Sequence, residues 1–357
     1  MSEAAFEEFL AEDFVRIGAP VLGRCLRLDG RSVYLSGATG FFGKSILSLL
    51  VHLRRMGASI RVTALSRSPA KFLDAHPWCR DLPWLDWHHG DAQDRWPGEG
   101  TYDYVLHAAT NTAADAHVDK VRMFDQIVAG TRNALEFAAT HGVRRVLLCG
   151  SGAQYGAIPE GLAYGIPESS LLACDATLPG SAYGEAKRVS EVLAALKGVL
   201  HGIEIVNARC FAFVGPGLPL DGHFAIGNFI RDAIDGVPIQ LATRGEALRS
   251  YLYSADLAVW LLVMLLEAAN GSAINVGSDC AVRILDLAKR VRDVANPHLE
   301  VRAGTASSAG ERRFYLPCIA RAKSHGLDVW TDLDQAIART ALWHRAAIRG
   351  VAHRHSA

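Results

Sequence analysis

Residues 32–43 read SVYLSGATGFFG, and this stretch decides the fold. A β-rich run at 33–35 leads into three glycines spaced GxxGxxG, and a helical stretch from about 44 to 56 follows. Glycines here allow a tight turn, a close approach of the backbone to a bound phosphate, and close packing of helix on sheet. The stretch therefore predicts a dinucleotide-binding turn, with a glycine turn that binds no ligand as the alternative. The candidate cofactor-binding residues of this turn are Gly37, Thr39, Gly40, Phe41, Phe42 and Gly43.

Strands and helices alternate on either side of this turn. The pattern predicts strands at 33–35, 59–65, 84–88, 104–107, 145–149, 204–208 and 273–276, and helices at 44–56, 120–140, 184–196, 226–235 and 255–268. Such a rhythm is typical of a parallel, doubly wound α/β sheet. We expect a helical extension over 1–30, with an apolar face of Phe6, Phe9, Leu10, Phe14 and Val15. A dinucleotide-binding domain is expected over 31–208 plus about 250–280, and a smaller substrate-binding lobe over 209–249 and 281–357.

Composition excludes several functional classes. The 357 residues carry 37 lysines and arginines against 37 acidic residues, which argues against binding nucleic acid or an anionic membrane surface. The apolar run 257–266 is too short to span a bilayer, and the acidic start of the chain is unlike a signal peptide. The seven cysteines show no CxxC spacing. These features predict a cytoplasmic protein with reduced thiols and no metal site.

The end of the second predicted strand bears on the choice of cofactor. It reads Ala-Leu-Ser-Arg-Ser over 64–68, without the carboxylate that would bind the ribose 2′-hydroxyl of NAD. Arg67 could pair with a 2′-phosphate and Ser66 could hydrogen-bond it, which favours NADP slightly over NAD. The alternative for Arg67 is a solvated surface charge. Asp91, after the third strand, could accept a hydrogen bond from the adenine amino group or could cap the next turn.

Tyr183 and Lys187 form the candidate catalytic pair, because residues four apart share one face of a helix. A nearby ammonium group favours the ionised phenol, which can then exchange a proton with a substrate hydroxyl. Ser151 follows the fifth strand, at the sheet edge where open α/β sheets bind ligands, and its hydroxyl could hold the same substrate oxygen.

With these motifs the chain resembles an extended short-chain dehydrogenase/reductase of the NAD-dependent epimerase/dehydratase family, which mostly acts on nucleotide sugars. The resemblance covers about residues 32 to 340. It is carried by the stretches 36–43, 89–91, 107–109, 130–133, 151–156, 183–187, Arg209 with 215–217, 249–256 and 275–277. It implies a Rossmann-type fold, in which Ser151, Tyr183 and Lys187 are catalytic and Tyr183, Lys187, Ala108 and Ala109 also contact the cofactor.

The resemblance further implies a nucleotide-diphosphate sugar as substrate, near Arg249 and the segment 214–228. The candidate substrate-binding residues are Gln154, His223, Asn228 and Arg249. For Arg209 we expect a structural ion pair rather than a substrate contact. A homodimer joined through helices near 115–140 and 183–197 is also implied.

The sequence departs from the family where dehydratases resemble Thr-Asp-Glu. Here Gly152 and Ala153 follow Ser151, and neither can transfer a proton, so elimination and decarboxylation by the usual routes are disfavoured. Ile127 and Ala212 replace asparagines of many relatives. We therefore predict hydride transfer at C4 of a nucleotide-linked sugar, by a 4-keto-sugar reductase or a 4-epimerase. The alternatives are a dehydratase or decarboxylase with a non-standard acid/base, and a non-catalytic NAD(P)-binding protein.

Overall fold

The computed structural model describes residues 6–110, 118–159, 162, 165–222, 224–306 and 313–354, with side chains as far as 348. Its strands are β1 (Ser32–Ser36), β2 (Arg61–Ser66), β3 (Leu85–His89), β4 (Tyr104–His107), β5 (Arg145–Ser151), β6 (Glu204–Cys210), β7 (Phe213–Val214), β8 (Ile239–Gln240), β9 (Leu248–Arg249), β10 (Leu252–Tyr253), β11 (Ser272–Val276), β12 (Val282–Arg283), β13 (Val301–Arg302) and β14 (Phe314–Tyr315). Its α-helices are α1 (Phe6–Ile17), α2 (Ala19–Cys25), α3 (Phe41–Arg55), α4 (Pro69–Ala75), α5 (Lys120–Thr140), α6 (Ala182–His201), α7 (Ala225–Asp235), α8 (Ser254–Glu267), α9 (Ile284–Ala295), α10 (Ala320–Ser324) and α11 (Leu333–Arg354).

Within the described residues, seven strands form one parallel sheet in the order β11-β6-β5-β4-β1-β2-β3. The predicted parallel, doubly wound sheet is confirmed. The chain winds outward from β1 in one direction and from β4 in the other, so the strand order reverses between these two neighbours. Their carboxyl ends are in register, with Ser36 opposite His107. A crevice at such a reversal is where open α/β sheets bind ligands.

Helix α8 is a core helix. Every residue from Ser254 to Leu265 is buried, because the helix lies against α2, α3 and the β5–β6 side of the sheet. A helix that is apolar on all sides needs such surroundings. No helix in the described part of the chain has the length and apolarity needed to cross a lipid bilayer.

The predicted amphipathic helix near the start of the chain is α1, which packs on α3 and α8. Phe6, Leu10 and Phe14 are buried as expected. Val15 is a correction, because its side chain is 69% exposed and does not belong to the buried face.

The smaller lobe is built from short strands and helices. Strands β12, β9 and β14 form one small sheet, β13 pairs with β8, and α7, α9 and α11 pack together beside them. Strand β11 then returns to the main sheet beside β6, as the strand pattern predicted. Helix starts and ends were predicted less well, since α3 begins at Phe41 rather than 44 and α6 ends at His201 rather than 196.

Candidate active site

The glycine turn joins β1 to α3 at the point where the sheet order reverses. Gly37 has φ +77°, and a Cβ atom there would lie 2.6 Å from the backbone of Ala108 and Ala109. A Cβ at Gly43 would lie 2.2 Å from the Gly37 carbonyl oxygen. These two glycines are therefore required by the fold itself, because each lies against backbone that cannot give way.

Gly40 differs from its two neighbours. It is exposed at the N-terminus of α3, and the nearest atom to a Cβ there would be the Gly37 carbonyl oxygen, at 3.4 Å. A Cβ at Gly40 would therefore point into open space at the start of α3. The first N–H groups of an α-helix have no partner within the helix itself. This arrangement fits a pyrophosphate that approaches the backbone closely.

The remaining candidate residues of the turn are half-buried around this space. Thr39, Phe41 and Phe42 are partly exposed, and the Phe42 ring packs edge-on against Phe213 with the centroids 4.9 Å apart. Ala108 and Ala109, which follow β4, are also partly exposed and form the opposite wall. The fold thus brings the whole turn and these two alanines together, as a dinucleotide site requires.

Ser66, Arg67 and Asp91 lie together at the ends of β2 and β3. Ser66 is buried and its Oγ accepts a hydrogen bond from the Ser68 N–H at 3.2 Å. The Arg67 side chain is 72% exposed, and its Nε lies 4.0 Å from Asp91 Oδ2. The other carboxylate oxygen of Asp91 accepts from the Gln93 N–H at 3.2 Å, so Asp91 does cap the next turn. A cofactor at this edge would meet one positive and one negative side chain.

Ser151, Tyr183 and Lys187 come from β5 and α6. Ser151 ends β5 and its buried Oγ accepts from the Ala153 N–H at 3.1 Å. Tyr183 lies in the first turn of α6, half-buried beside Met123 and Ile127 of α5. Lys187 follows one turn later and points back under the carboxyl end of the sheet. The Ser151 hydroxyl and the Lys187 ammonium group are therefore held at the carboxyl edge of the sheet, and Tyr183 lies on α6 one turn before Lys187.

Lys187 is fixed by two hydrogen bonds. Its Nζ donates to the Cys149 carbonyl oxygen at 2.8 Å and to Thr110 Oγ1 at 2.7 Å. Burial lowers the pKa of the ammonium group to about 8, although the thiols of Cys149 and Cys210 act in the opposite direction. A lysine with this pKa keeps most of its charge near neutral pH and is immobile, which suits an electrostatic partner for a phenol.

Thr110 is a residue that sequence reasoning missed. It comes three residues after the end of β4, at the same sheet edge, and it holds Lys187. Its position after a central parallel strand was the available signal, because side chains there face the ligand crevice. His107, at the end of β4, is also part of this layer. Burial and the Lys187 charge lower the pKa of His107 to about 3, so it is neutral, and it shares a 2.6 Å hydrogen bond with Ser36.

Comparison with known proteins gives the family. The model of the NAD-dependent epimerase/dehydratase family matches residues 33–277, which is more than half of the chain. The chain belongs to this family. The epimerase/dehydratase region thus includes the glycine turn, Ser151, Tyr183, Lys187 and the strand β11.

Two curated relatives illustrate the range of the family. Over 196 residues the chain is 32% identical to UDP-glucuronic acid decarboxylase 3 of Arabidopsis thaliana, a match covering 55% of this chain and 56% of that protein. The chain thus spans about half the length of that relative. It is 26% identical over 323 residues to dTDP-glucose 4,6-dehydratase of Streptomyces antibioticus, covering 88% of this chain and 92% of that one.

Solved structures agree on the fold. UDP-glucose 4-epimerase of Thermus thermophilus, solved as a complex with NAD, superimposes with a TM-score of 0.72 at 21% identity. That match covers 88% of this chain and 99% of the epimerase chain. At this identity the likeness shows a shared Rossmann-type fold and no more.

The turn that follows Ser151, Gly152–Tyr155, carries no acidic side chain. Gly152 and Ala153 are buried there, and a Cβ at Gly152 would lie 2.6 Å from the Phe211 ring. Gln154 is also buried, and its Nε2 donates to Glu191 Oε1 at 2.9 Å. Gln154 therefore faces the protein interior in this structure, although we predicted it as a substrate contact.

Arg209 has the structural role that the sequence suggested. Its guanidinium makes hydrogen bonds of 2.9 and 2.7 Å to the two carboxylate oxygens of Glu191, and it donates to Tyr155 Oη at 2.7 Å. Tyr155 in turn donates to Asn275 Oδ1 at 2.9 Å. This buried network ties α6, β6 and β11 together and occupies Arg209 fully.

The candidate substrate residues of the smaller lobe lie on different elements. Asn228 is on α7, where Arg231 Nη1 is 3.5 Å from its Oδ1. Arg249 is on β9, half-buried, with Nη1 bonded to the Leu248 carbonyl oxygen and its guanidinium 6.0 Å from the Tyr315 ring centroid. His223 lies outside the described residues.

Proposed function

We propose that this chain binds NAD(P) and catalyses hydride transfer at C4 of a nucleotide-diphosphate sugar, as a 4-epimerase or a 4-keto-sugar reductase. One observation carries the proposal. Ser151, Tyr183 and a buried, doubly hydrogen-bonded Lys187 share the sheet edge with the glycine turn, while Gly152 and Ala153 occupy the positions where elimination needs an acid.

Each residue has a distinct part in the proposed reaction. Tyr183 takes the proton from the C4 hydroxyl, or returns it to the C4 oxygen. The ammonium group of Lys187 lowers the cost of the phenolate that results, since an opposite charge nearby favours the ionised form. Ser151 holds the same oxygen by a hydrogen bond, which orients the sugar. NAD(P), when bound, accepts or supplies the hydride at C4.

Replacing Tyr183 by phenylalanine tests the proposal. Because phenylalanine keeps the ring and removes the proton donor, we expect turnover to fall by about 100-fold or more while NAD(H) still binds. Tyr102→Phe, which lies just before the amino end of β4 and packs against Phe137, is the matched control and should leave turnover unchanged. Substrates to assay are UDP- and dTDP-hexoses and their 4-keto derivatives. Unchanged turnover in Tyr183→Phe would refute the assignment.

The bound nucleotide separates the two proposed reactions. The purified protein is denatured and the released nucleotide is identified. Release of one NAD(H) per protein chain favours the epimerase. An epimerase reduces and reoxidises its cofactor within one catalytic cycle, so the cofactor need not leave the protein. An empty site that then binds the reduced cofactor from solution favours the keto-sugar reductase. A product lacking the 6-hydroxyl or the C6 carboxyl would instead indicate a dehydratase or a decarboxylase, and the C4 proposal would be wrong.

We also propose a homodimer formed through α5 and α6. One face of α6 carries the exposed apolar residues Val192, Leu196, Val199 and Leu200, and α6 packs along α5. Such a patch commonly marks an interface. Leu196→Glu should convert a dimer into a monomer in light scattering, whereas Val15→Glu, at an exposed valine of α1, should not. A wild-type monomer would refute this part of the proposal.

A further inference from the structure

Apart from the candidate active site, the structure has a cavity between α1, α3, α7, α11 and the loop that follows β7. It has a volume of about 330 Å³. Its walls include Phe6 of α1, Lys44 of α3, the loop 217–221, Arg231 of α7 and Trp343 of α11. None of the proposed catalytic residues lines it. The cavity depends on α1 and α11, which lie outside the region matched by the family model.

Basic groups converge on this cavity. Lys44 Nζ lies 3.4 Å from the Gly217 carbonyl oxygen and 5.7 Å from the centroid of the Phe6 ring. His76 and His344 also line the wall. Burial and, to a smaller extent, the charge of Lys44 lower the pKa of each histidine to about 4, so both imidazoles are neutral at pH 7.

One polar atom in this cluster lacks a partner. His344 Nε2 is buried and makes no hydrogen bond within the described part of the chain. A buried nitrogen of this kind is costly unless a ligand or a water molecule satisfies it. Arg231 adds a further cation, although Asp232 accepts from its guanidinium at 2.8 Å. Asp221 is the single acidic residue among the lining side chains.

Much of the remaining lining is apolar. The Phe6 and Trp343 rings pack edge to face with centroids 5.1 Å apart, and Leu218 and Leu220 line the wall contributed by the loop. Cations facing an apolar surface are complementary to a molecule with an anionic head and a compact apolar body. The volume is near the lower end for small-molecule sites, so a single ring with one head group would fit.

We propose that this cavity binds a small organic anion, a carboxylate or phosphate on a compact apolar body, with the head group at Lys44 and His344. The body packs against Phe6 and Trp343. The site goes beyond the proposed function, since its lining includes none of Ser151, Tyr183 and Lys187 and shares only the loop 217–221 with the segment expected near the substrate. The loop 217–221 and α11 both line the cavity. A bound molecule would therefore contact both and hold the loop in place beside α11.

Calorimetric titration with phenyl phosphate and with benzoate tests the proposal and distinguishes the two head groups. The titration is done with and without saturating NAD(H), because the glycine turn is a second place where a phosphate could bind. We expect at least one probe to bind with a stoichiometry of one and with the same affinity in both conditions. If NAD(H) fails to bind, that result counts against the proposed function. The binding of the probe to the cavity can still be measured.

Substitutions in the cavity wall test whether the probe binds there. Lys44→Met keeps an unbranched side chain beside Phe6 and removes the charge, so affinity should fall about tenfold or more. Lys289→Met, at an exposed lysine of α9, is the matched control and should bind as the wild type does. Ala347→Leu narrows the cavity without changing any charge, and it should abolish binding even if Lys44→Met folds poorly.

Two results would overturn the proposal. The first is that neither probe binds at millimolar concentration. The second is that a probe binds but is displaced by NAD(H), or binds equally well to Lys44→Met, Ala347→Leu and the wild type.

Discussion

Gly40 and Gly43 belong to one turn, yet a methyl group at each would meet very different surroundings. At Gly43 it would lie 2.2 Å from a backbone oxygen, and at Gly40 it would be 3.4 Å from the nearest atom and would face open space. Gly43→Ala should therefore destabilise the fold by several kcal/mol, on the order expected for a forced backbone shift. Gly40→Ala should leave the free energy of unfolding nearly unchanged and weaken NAD(H) binding by about tenfold or more, because the methyl group blocks the approach of the pyrophosphate.

Urea unfolding and cofactor titration of the same two variants check this prediction. Each variant serves as the control for the other, since the substitution is the same and the positions are three residues apart. Normal NAD(H) affinity in Gly40→Ala would show that the open space above α3 does not hold the pyrophosphate.

Arg67 is the residue on which the predicted slight preference for NADP over NAD rests. Its exposed guanidinium lies 4.0 Å from the Asp91 carboxylate, which offsets part of its charge. Arg67→Ala should weaken NADPH binding about tenfold, as loss of one charge-assisted hydrogen bond does, and should change NADH affinity by less than about twofold. Asp91→Asn should strengthen NADPH binding. Arg61→Ala, at the exposed start of β2, is the control. An equal effect on both cofactors in Arg67→Ala would contradict a role in selecting the 2′-phosphate.

At the scale of elements, α1 carries two buried carboxylates that pair with arginines of other helices, Glu7 with Arg55 and the more deeply buried Asp13 with Arg339. Asp13 is fully buried, with Arg339 Nε at 2.7 Å, Arg16 at 2.9 Å and the Tyr253 hydroxyl donating at 2.8 Å. These partners come from α11, α1 and β10. Removing one partner of a buried charge pair is costly, since the remaining charges stay desolvated.

Asp13→Ala should accordingly lower the free energy of unfolding by about 3 kcal/mol or more. Glu8→Ala, one turn away on the exposed face of α1, should change it by less than about 0.5 kcal/mol. Urea unfolding of both variants measures the difference. Equal stabilities would mean that the Asp13 network contributes nothing to the docking of α1.

The elements that sequence reasoning found are those with a local signal. The glycine turn, α5 and the strands of the main sheet each carry periodicity or turn residues within one short stretch, and the structure has them nearly where expected. The two-residue strands β7 to β10 were missed, because their pairing depends on distant partners. Strand β9, for example, pairs with β12 and β14, more than thirty residues along the chain.

The same limit applies to the candidate site. Tyr183 and Lys187 are one helical turn apart, so the sequence alone predicts that they share one face of a helix. The contact between Lys187 and Thr110 joins residues 77 positions apart and required the fold. The cavity beside Lys44 was also invisible, since it draws on both ends of the chain, and no local pattern marks a surface assembled from α1, α3 and α11.

At the scale of the whole molecule, buried titratable groups make stability depend on pH in opposing ways. Burial lowers the pKa of His107 to about 3 and, together with Lys44, that of His76 and His344 to about 4. The unfolded chain binds more protons than the folded one at these sites below pH 6.5, so they make stability rise with pH between about 4 and 6.5. Asp256 acts oppositely. Burial raises its pKa to about 7, the folded state binds the extra proton, and stability falls as pH rises from about 4 to 7.

His52 has a lowered pKa as well and Asp13 a raised one, both because of burial, so four histidines oppose two carboxyl groups. Wild-type stability should therefore rise between pH 4.5 and 6.5. The Thr331 N–H and hydroxyl donate to the two different carboxylate oxygens of Asp256, each at 2.9 Å. Asp256→Asn keeps one acceptor oxygen for the Thr331 N–H, its NH2 group can donate to the Thr331 hydroxyl oxygen instead, and the opposing titration is removed. Its stability should therefore rise more steeply than that of the wild type, by up to about 1.4 kcal/mol per pH unit. Urea unfolding at pH 4.5, 5.5 and 6.5 gives both slopes, with Asp332→Asn at an exposed site as the control. Parallel curves for Asp256→Asn and the wild type would mean that Asp256 is ionised throughout this range, and that Thr331 and the nearby arginine outweigh its burial.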